Sequence, residues 1–346
     1  MTSKEIIQKT IRLEPTPRLP VSLLSGGAWA LNRNDLTLEQ ALAAGPGRIA
    51  EIIAQTNEAV ECDIVWPGSG YHNLAIRGVG GRLKFRLRGT PDVQEPLLKS
   101  LADISQIQVN RVQEDDGIRT LVETARLLSH SLGSTTVVGT SQWAPFTLGG
   151  LAFGVENLMR GLHKDKPAVH AVLEFASELC FAYLEPFIDA GVSMISLADP
   201  TASGDLISRE QFIEFSLPYL SRVAAKIKAR GVAVTIHICG NTTNRLDTIL
   251  GSGADIMSVD YKVPLAEARR ILGGKIAFAG NMNPVAVMQR QTNQGVADAC
   301  AECIRAAGPG GGYIVMPGCD IPPSVPIENV RAMVETAHAI TIPNAP

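Results

Sequence analysis

The stretch GVAVTIHICG, Gly231 to Gly240, decides how the rest of the chain is read. The β-branched run from Val232 to Ile236 predicts a strand covered on both faces, because so apolar a run leaves neither face for water. His237 and Cys239 stand at its C-terminal end, two residues apart, so an extended backbone turns both side chains to one side. An imidazole and a thiolate placed together can grip a soft or borderline metal ion. A third ligand must come from elsewhere, and Cys319 in the MPGCD stretch is the candidate.

Working outward, Ser193–Leu197 is a strand ending at Ala198-Asp199-Pro200. Arg209–Ala229 is a helix, with Ser208 as its N-cap and Gly231 just past its end. Further upstream, strands are expected at Arg18–Leu24, Cys62–Trp66 and Ser134–Thr140. They alternate with helices at Lys4–Leu13, Leu38–Val60, Ile118–His130, Phe153–Leu162 and Ala168–Ala190. Downstream, strands at Asp255–Val259, Lys275–Ala279 and Tyr313–Met316 alternate with helices at Arg245–Gly251, Pro264–Leu272, Gln294–Ala307 and Ile327–Ala339. Eight strands in such alternation predict an α/β fold of the parallel (β/α)8 TIM-barrel kind. A doubly wound open sheet is the competing arrangement, but no GxGxxG follows the first strand. Between Ile76 and Leu87, apolar and polar residues alternate around Gly80-Gly81, which predicts a hairpin. It is expected as an insertion, about 71–116, after strand two of a single domain spanning 1–346.

The 346 residues are 45% hydrophobic and 19% charged, with a formal net charge of −3. No basic block points to nucleic acid or to an anionic membrane surface. The polar N-terminal stretch lacks the apolar core of a signal peptide, and no apolar run has the length of a membrane span, so a cytoplasmic location is expected. In that compartment six cysteines are not a disulfide framework. Cys62 and Cys180 are expected in the core. Cys300 and Cys303, one helical turn apart, are expected to be structural.

In a barrel of this kind chemistry gathers at the C-terminal ends of the strands. Cys319, following strand eight, then faces the same mouth as His237 and Cys239. A His/Cys/Cys set leaves one tetrahedral position open, as a catalytic zinc requires. Two thiolates keep such a zinc a mild Lewis acid, suited to activating a thiol or polarising an ether or alcohol oxygen. A buried histidine and cysteine near a strand end also arise from packing alone. Asp199 and Asp260, at the ends of strands four and six, are candidate catalytic groups on the same rim, and Asp199, just before Pro200, is equally a turn or cap residue. Trp29, Trp66, Tyr71 and Trp143 fall near the predicted mouth, with Asn281 after strand seven; they are candidates for substrate contacts, and each ring is equally a core residue.

Several stretches resemble the uroporphyrinogen decarboxylase superfamily, and within it the zinc-dependent, corrinoid-linked methyltransferases. They are Arg18-Leu19-Pro20-Val21, Ala144 to Leu148 (APFTL), Leu162 to Asp165 (LHKD) and Asp199 to Tyr219. They continue with His237-Ile238-Cys239-Gly240, Ala279 to Pro284 (AGNMNP) and Pro317-Gly318-Cys319-Asp320. The likeness runs along most of the chain and is weakest between about Tyr71 and Asp116. It implies a (β/α)8 barrel, zinc on His237, Cys239 and Cys319, and a partner protein that carries a corrinoid. The decarboxylase holds its substrate's carboxylates with an arginine-rich N-terminal segment. Ser22 to Asn32 here, SLLSGGAWALN, contains no arginine.

The resemblance therefore implies methyl transfer between a small substrate and the cobalt of a corrinoid protein. Demethylation of a methoxy compound is the preferred expectation, with the rings of Trp29, Trp66, Tyr71 and Trp143 walling in the substrate and Asp199 or Asp260 as the acid that protonates the departing alkoxide. A methylcobamide:thiol methyltransferase of the coenzyme M type is the close alternative. A metal-free tetrapyrrole lyase and a non-catalytic corrinoid-binding module are the more distant ones.

Overall fold

The computed structural model describes residues 1–340. The decisive stretch is a strand, Ala233–Ile238, buried along almost its whole length. In chain order the strands are β1 (Ile64–Val65), β2 (Leu83–Lys84), β3 (Asp92–Val93), β4 (Val137–Trp143), β5 (Met194–Ala198), β6 (Ala233–Ile238), β7 (Ile256–Val259), β8 (Ala277–Met282) and β9 (Tyr313–Pro317). Seven of them form one sheet in the order β1-β4-β5-β6-β7-β8-β9, every neighbouring pair parallel. Helices connect them, as parallel pairing demands.

Strand one, expected at Arg18–Leu24, is reduced to a single bridge, and that bridge closes the barrel. Val21 pairs in parallel with Val315 of β9. On this side the Ser22 amide donates to the Val315 carbonyl (3.1 Å) and the Val315 amide to that of Pro20 (2.9 Å). On the other side the Asp63 amide donates to the Val21 carbonyl at 2.8 Å. Pro20 has no N–H to give, and the Val21 N–H goes to the Asp63 carboxylate (2.8 Å) instead of a strand partner. The same carboxylate takes both terminal nitrogens of Arg18, at 2.6 and 2.9 Å.

Alternating positions on the strands fill the barrel. Ile64, Trp66, Val137, Met194, Ile256, Ala277, Ala279, Ile314 and Met316 form one buried cluster, with Ala233 packed on it. The other faces join a larger core shared with the helices. The Leu38–Val60 helix is in fact two, Leu38–Ala44 and Pro46–Val60, broken at Gly45 (φ 88°) and Pro46. Ser208 caps the start of the expected Arg209–Ala229 helix through a capping box with Gln211. That helix widens to a π turn over Phe212–Ser216 before Leu217–Lys228, next to Pro218. Pro145–Phe153 is a helix that the hydrophobic pattern does not announce. The insertion hairpin exists as β2 against β3, antiparallel, with its turn beyond residue 84 and not at Gly80-Gly81. Leu74–Gly78 is helical, which places those glycines before the hairpin. No helix of the described residues is long and apolar enough to cross a membrane.

Candidate metal centre

His237 lies inside the barrel because it shares a strand face with Ala233. It is level with Ala198 on β5 and Ser258 on β7. Its ring is buried, and Ser258 Oγ lies 2.8 Å from Nδ1. That contact leaves Nε2 facing Cys239 Sγ at 3.3 Å, and Cys239 Sγ lies 3.6 Å from Cys319 Sγ. The three ligand atoms all fall within 4.8 Å of one another. Both sulfurs belong to partly exposed residues, so the group opens toward solvent on one side.

Two glycines make the approach possible. Gly240 turns the chain after Cys239 at φ 79°, where a Cβ would stand 2.3 Å from Ser203 Oγ. At Gly318 a Cβ would stand 2.4 Å from the Tyr261 nitrogen, so only glycine lets the chain before Cys319 lie against the β7 loop.

The electrostatics couple the three side chains. Hydrogen bonds from Cys239 and His237 hold the Cys319 thiol well below its ordinary value, against the opposing effect of burial. The Cys239 thiol is raised, chiefly by its contact with Cys319 and then by burial. One neutral-capable nitrogen and two sulfurs, one already disposed to lose its proton, fit a tetrahedral zinc with a free position. The serine on Nδ1 supplies the outer contact that orients a ligating imidazole.

The other expected site residues are distributed unevenly. Asp199 is wholly buried and saturated. One oxygen accepts from the Thr147 amide (2.8 Å) and hydroxyl (2.7 Å), the other from the Ser216 hydroxyl (2.8 Å). Burial nevertheless pushes its carboxyl up to about 6. Asp260 stands beside the centre, with one carboxylate oxygen accepting from the Lys262 amide at 2.8 Å. Asn281 directs its amide group to the carbonyls of Asp260 (3.1 Å) and Val263 (2.6 Å), so it buttresses the Asp260 turn.

Trp29 is buried with its N–H on the Val325 carbonyl, and Tyr71 is buried with its hydroxyl on the Leu38 carbonyl. Only Trp143 of the three keeps exposed surface; its N–H bonds Asn73 Oδ1 and its ring lies 4.4 Å from that of His72. Ser258 is absent from the residues picked out by sequence. Its signal, two positions before Asp260 on one strand face, gains meaning only when β6 and β7 are set in register.

A closed parallel barrel with a soft-donor triad on its C-terminal rim defines a class of α/β-barrel enzyme. Residues 2–340 match the family model of uroporphyrinogen decarboxylase (URO-D). The chain is 30% identical to the methylcobamide:CoM methyltransferase MtbA of Methanosarcina acetivorans, over 97% of each chain. It is 33% identical to the protein of the same name from Methanosarcina mazei, over 72% of each. Among solved structures, a methyltransferase from Methanosarcina mazei has the same fold, with a TM-score of 0.86 at 20% identity over 97% of this chain and 98% of that one. The chain belongs to the uroporphyrinogen decarboxylase family, and it is an enzyme of that family's methyltransferase branch.

Proposed function

We propose that this protein is a zinc-dependent methyltransferase that moves a methyl group between the cobalt of a corrinoid protein and a small thiol. The observation that carries this is the meeting of His237 Nε2, Cys239 Sγ and Cys319 Sγ within 4.8 Å, open on one side. Zinc bound there would supply Lewis acidity that lowers the pKa of a neighbouring thiol. Ser258 holds the imidazole in one orientation, and the Gly318 contact sets the height of Cys319. Asp260, with one carboxylate oxygen uncommitted to Lys262, would receive the thiol proton. The substrate sulfur then forms a bond to the methyl carbon as the cobalt–carbon bond breaks. The electron pair of that bond stays on cobalt, taking methyl-Co(III) to Co(I). The likeness to two methylcobamide:CoM methyltransferases supports the thiol as acceptor.

Demethylation of a methoxy compound is the second reading, and the half-buried Trp143 ring at the rim favours it. It loses the support of Trp29 and Tyr71, which are core residues. The missing arginine in Ser22–Asn32 weighs against decarboxylation of a polycarboxylate.

Metal analysis of the purified protein, paired with methyl transfer from methylcobalamin, tests the proposal. About one zinc per chain is expected, lost in Cys239→Ala and Cys319→Ala together with thiol methylation. A metal-free wild type, or transfer from methoxyarenes to cob(I)alamin with none to thiols, ends it.

A further inference from the structure

Beside the metal ligands the barrel carries a row of hydroxyls where apolar side chains are usual. Ser141 of β4 is in register with Ser196 of β5, and Ser196 with Thr235 of β6. All three share strand faces with interior residues, Val137, Met194 and Ala233 respectively. Barrel interiors are ordinarily filled at such positions by bulky branched residues; one level down, Gly139, Met194 and Ala233 lie in register and the Trp66 ring packs on them. There the Trp66 indole lies so close to Gly139 that a Cβ would stand 2.6 Å from the ring. One level up, the row Trp143, Ala198, His237 places the smallest side chain between a tryptophan and the metal ligand. One level above the hydroxyl row Ala198 stands between Trp143 on one side and His237 on the other.

Two polar atoms around this row are buried without a partner among the described residues. Thr235 Oγ1 has none, on a residue 5% exposed. His72 enters from the loop after β1 and places Nε2 2.8 Å from Ser141 Oγ; its Nδ1 has none, on a residue 3% exposed. Burial pushes this histidine down to about 4, so it is neutral at physiological pH. A buried polar atom left unpaired is destabilising. Two of them beside a catalytic centre mark where a ligand completes the bonding.

We propose that Ser141, Ser196, Thr235 and His72 form the subsite for the non-reacting end of the substrate, and that Thr235 and His72 set which substrate is accepted. The inference rests on the methyl-transfer reading above and adds the substrate class: a short thiol whose tail ends in an uncharged hydrogen-bonding group. No Lys or Arg belongs to the row, and a buried anion without a cation is penalised. Thr235 lies two residues before His237, roughly 7 Å along the strand, which is the span of a two- or three-carbon chain.

The test uses the zinc-loaded enzyme with methylcobalamin and three acceptors: 2-mercaptoethanol, ethanethiol and 2-mercaptoethanesulfonate. Wild type is expected to show its lowest KM with 2-mercaptoethanol. Thr235→Val is expected to raise that KM about tenfold, the worth of one hydrogen bond, with kcat and the KM for ethanethiol little changed. Its Tm should hold or rise, because this hydroxyl has no partner to lose. His72→Ala should act in the same direction, and His72→Asn, which restores a polar atom near Nδ1, should recover most of the difference. Unchanged 2-mercaptoethanol KM in Thr235→Val overturns the subsite while leaving the methyl-transfer reading intact. A lower KM for the sulfonate than for 2-mercaptoethanol overturns the uncharged class. Absence of turnover with every thiol overturns both inferences together.

Discussion

One imidazole orientation governs the centre. Ser258 Oγ at 2.8 Å from His237 Nδ1 fixes the ring and leaves Nε2 facing Cys239 Sγ, as the proposed metal site requires. Ser258→Ala should lower zinc affinity by about 10–100-fold without changing the ligand set, measured by competition with a chromophoric chelator; equal affinities would remove the serine from the site. His72 gives a second residue-level outcome, in stability. Its folded pKa is near 4 against a free value of 6.5. As pH falls below 6.5 the unfolded chain takes the proton first, so the contribution is intact above 6.5 and drains away through 4. At about 1.4 kcal/mol per pKa unit that is roughly 3 kcal/mol. Denaturant titrations at pH 7, 5.5 and 4 should show this part of the acid sensitivity in wild type and its absence in His72→Asn. What could be read from sequence at this scale follows the same physics. His237 and Cys239 were legible because two-residue spacing fixes a common strand face. Cys319 needed the barrel to bring it near, and Ser258 needed the register of two strands. Trp29 and Tyr71 stand near strand ends, yet nearness in sequence does not say whether a ring turns to the mouth or into the core.

Among the elements, the segment from Asp199 to Lys228 ties the rim together. Asp199 receives Thr147 at the start of the Pro145–Phe153 helix and Ser216 at the end of the π turn. The wider turn accommodates Pro218, which cannot donate to a regular helix. Asp199 thus joins two helices to the end of β5. If that is its work, Asp199→Asn, which still accepts from Thr147, should fold near the wild-type Tm and keep most of its turnover. Asp199→Ala, which abandons three donors, should lose about 3 kcal/mol at roughly 1 kcal/mol per bond. A hundredfold loss of kcat in a stable Asp199→Asn would instead make this carboxyl the proton donor. Helix periodicity and caps were readable here, Ser208 included, because they are local. The π turn was not, because Pro218 alone does not say whether a helix kinks, ends or widens, and the Ser216 bond to Asp199 comes from a distant strand. The Pro145–Phe153 helix was hidden because it is apolar on nearly every side and has no periodic face.

Across the whole molecule, strand and helix alternation was enough to read a parallel barrel, but not how the barrel closes. Closure needs hydrogen bonds between residues near 21, 63 and 315, and strand propensity places too much of Arg18–Leu24 in the sheet. The closing stretch is one bridged residue held by a side chain. Asp63, fully buried, accepts from Val21 and from both terminal nitrogens of Arg18, and it stands where β1 begins. Removing it leaves Arg18 unpaired and the Val21 amide without its acceptor. Asp63→Ala should therefore lose about 3–5 kcal/mol, visible as a Tm lower by roughly 5 °C for a chain of this size. The location of the damage is the sharper test. Hydrogen exchange should accelerate at Ser22, Asp63 and Val315, whose amides make the closing bonds, while Val234 to Ile238 in the middle of the sheet stay protected. Trp66 should report the same event, because its N–H bonds Ser22 Oγ at 3.2 Å and it floors the barrel interior. If exchange rises evenly over all strands, the barrel opens as one unit and the Arg18–Asp63 pair is not its latch.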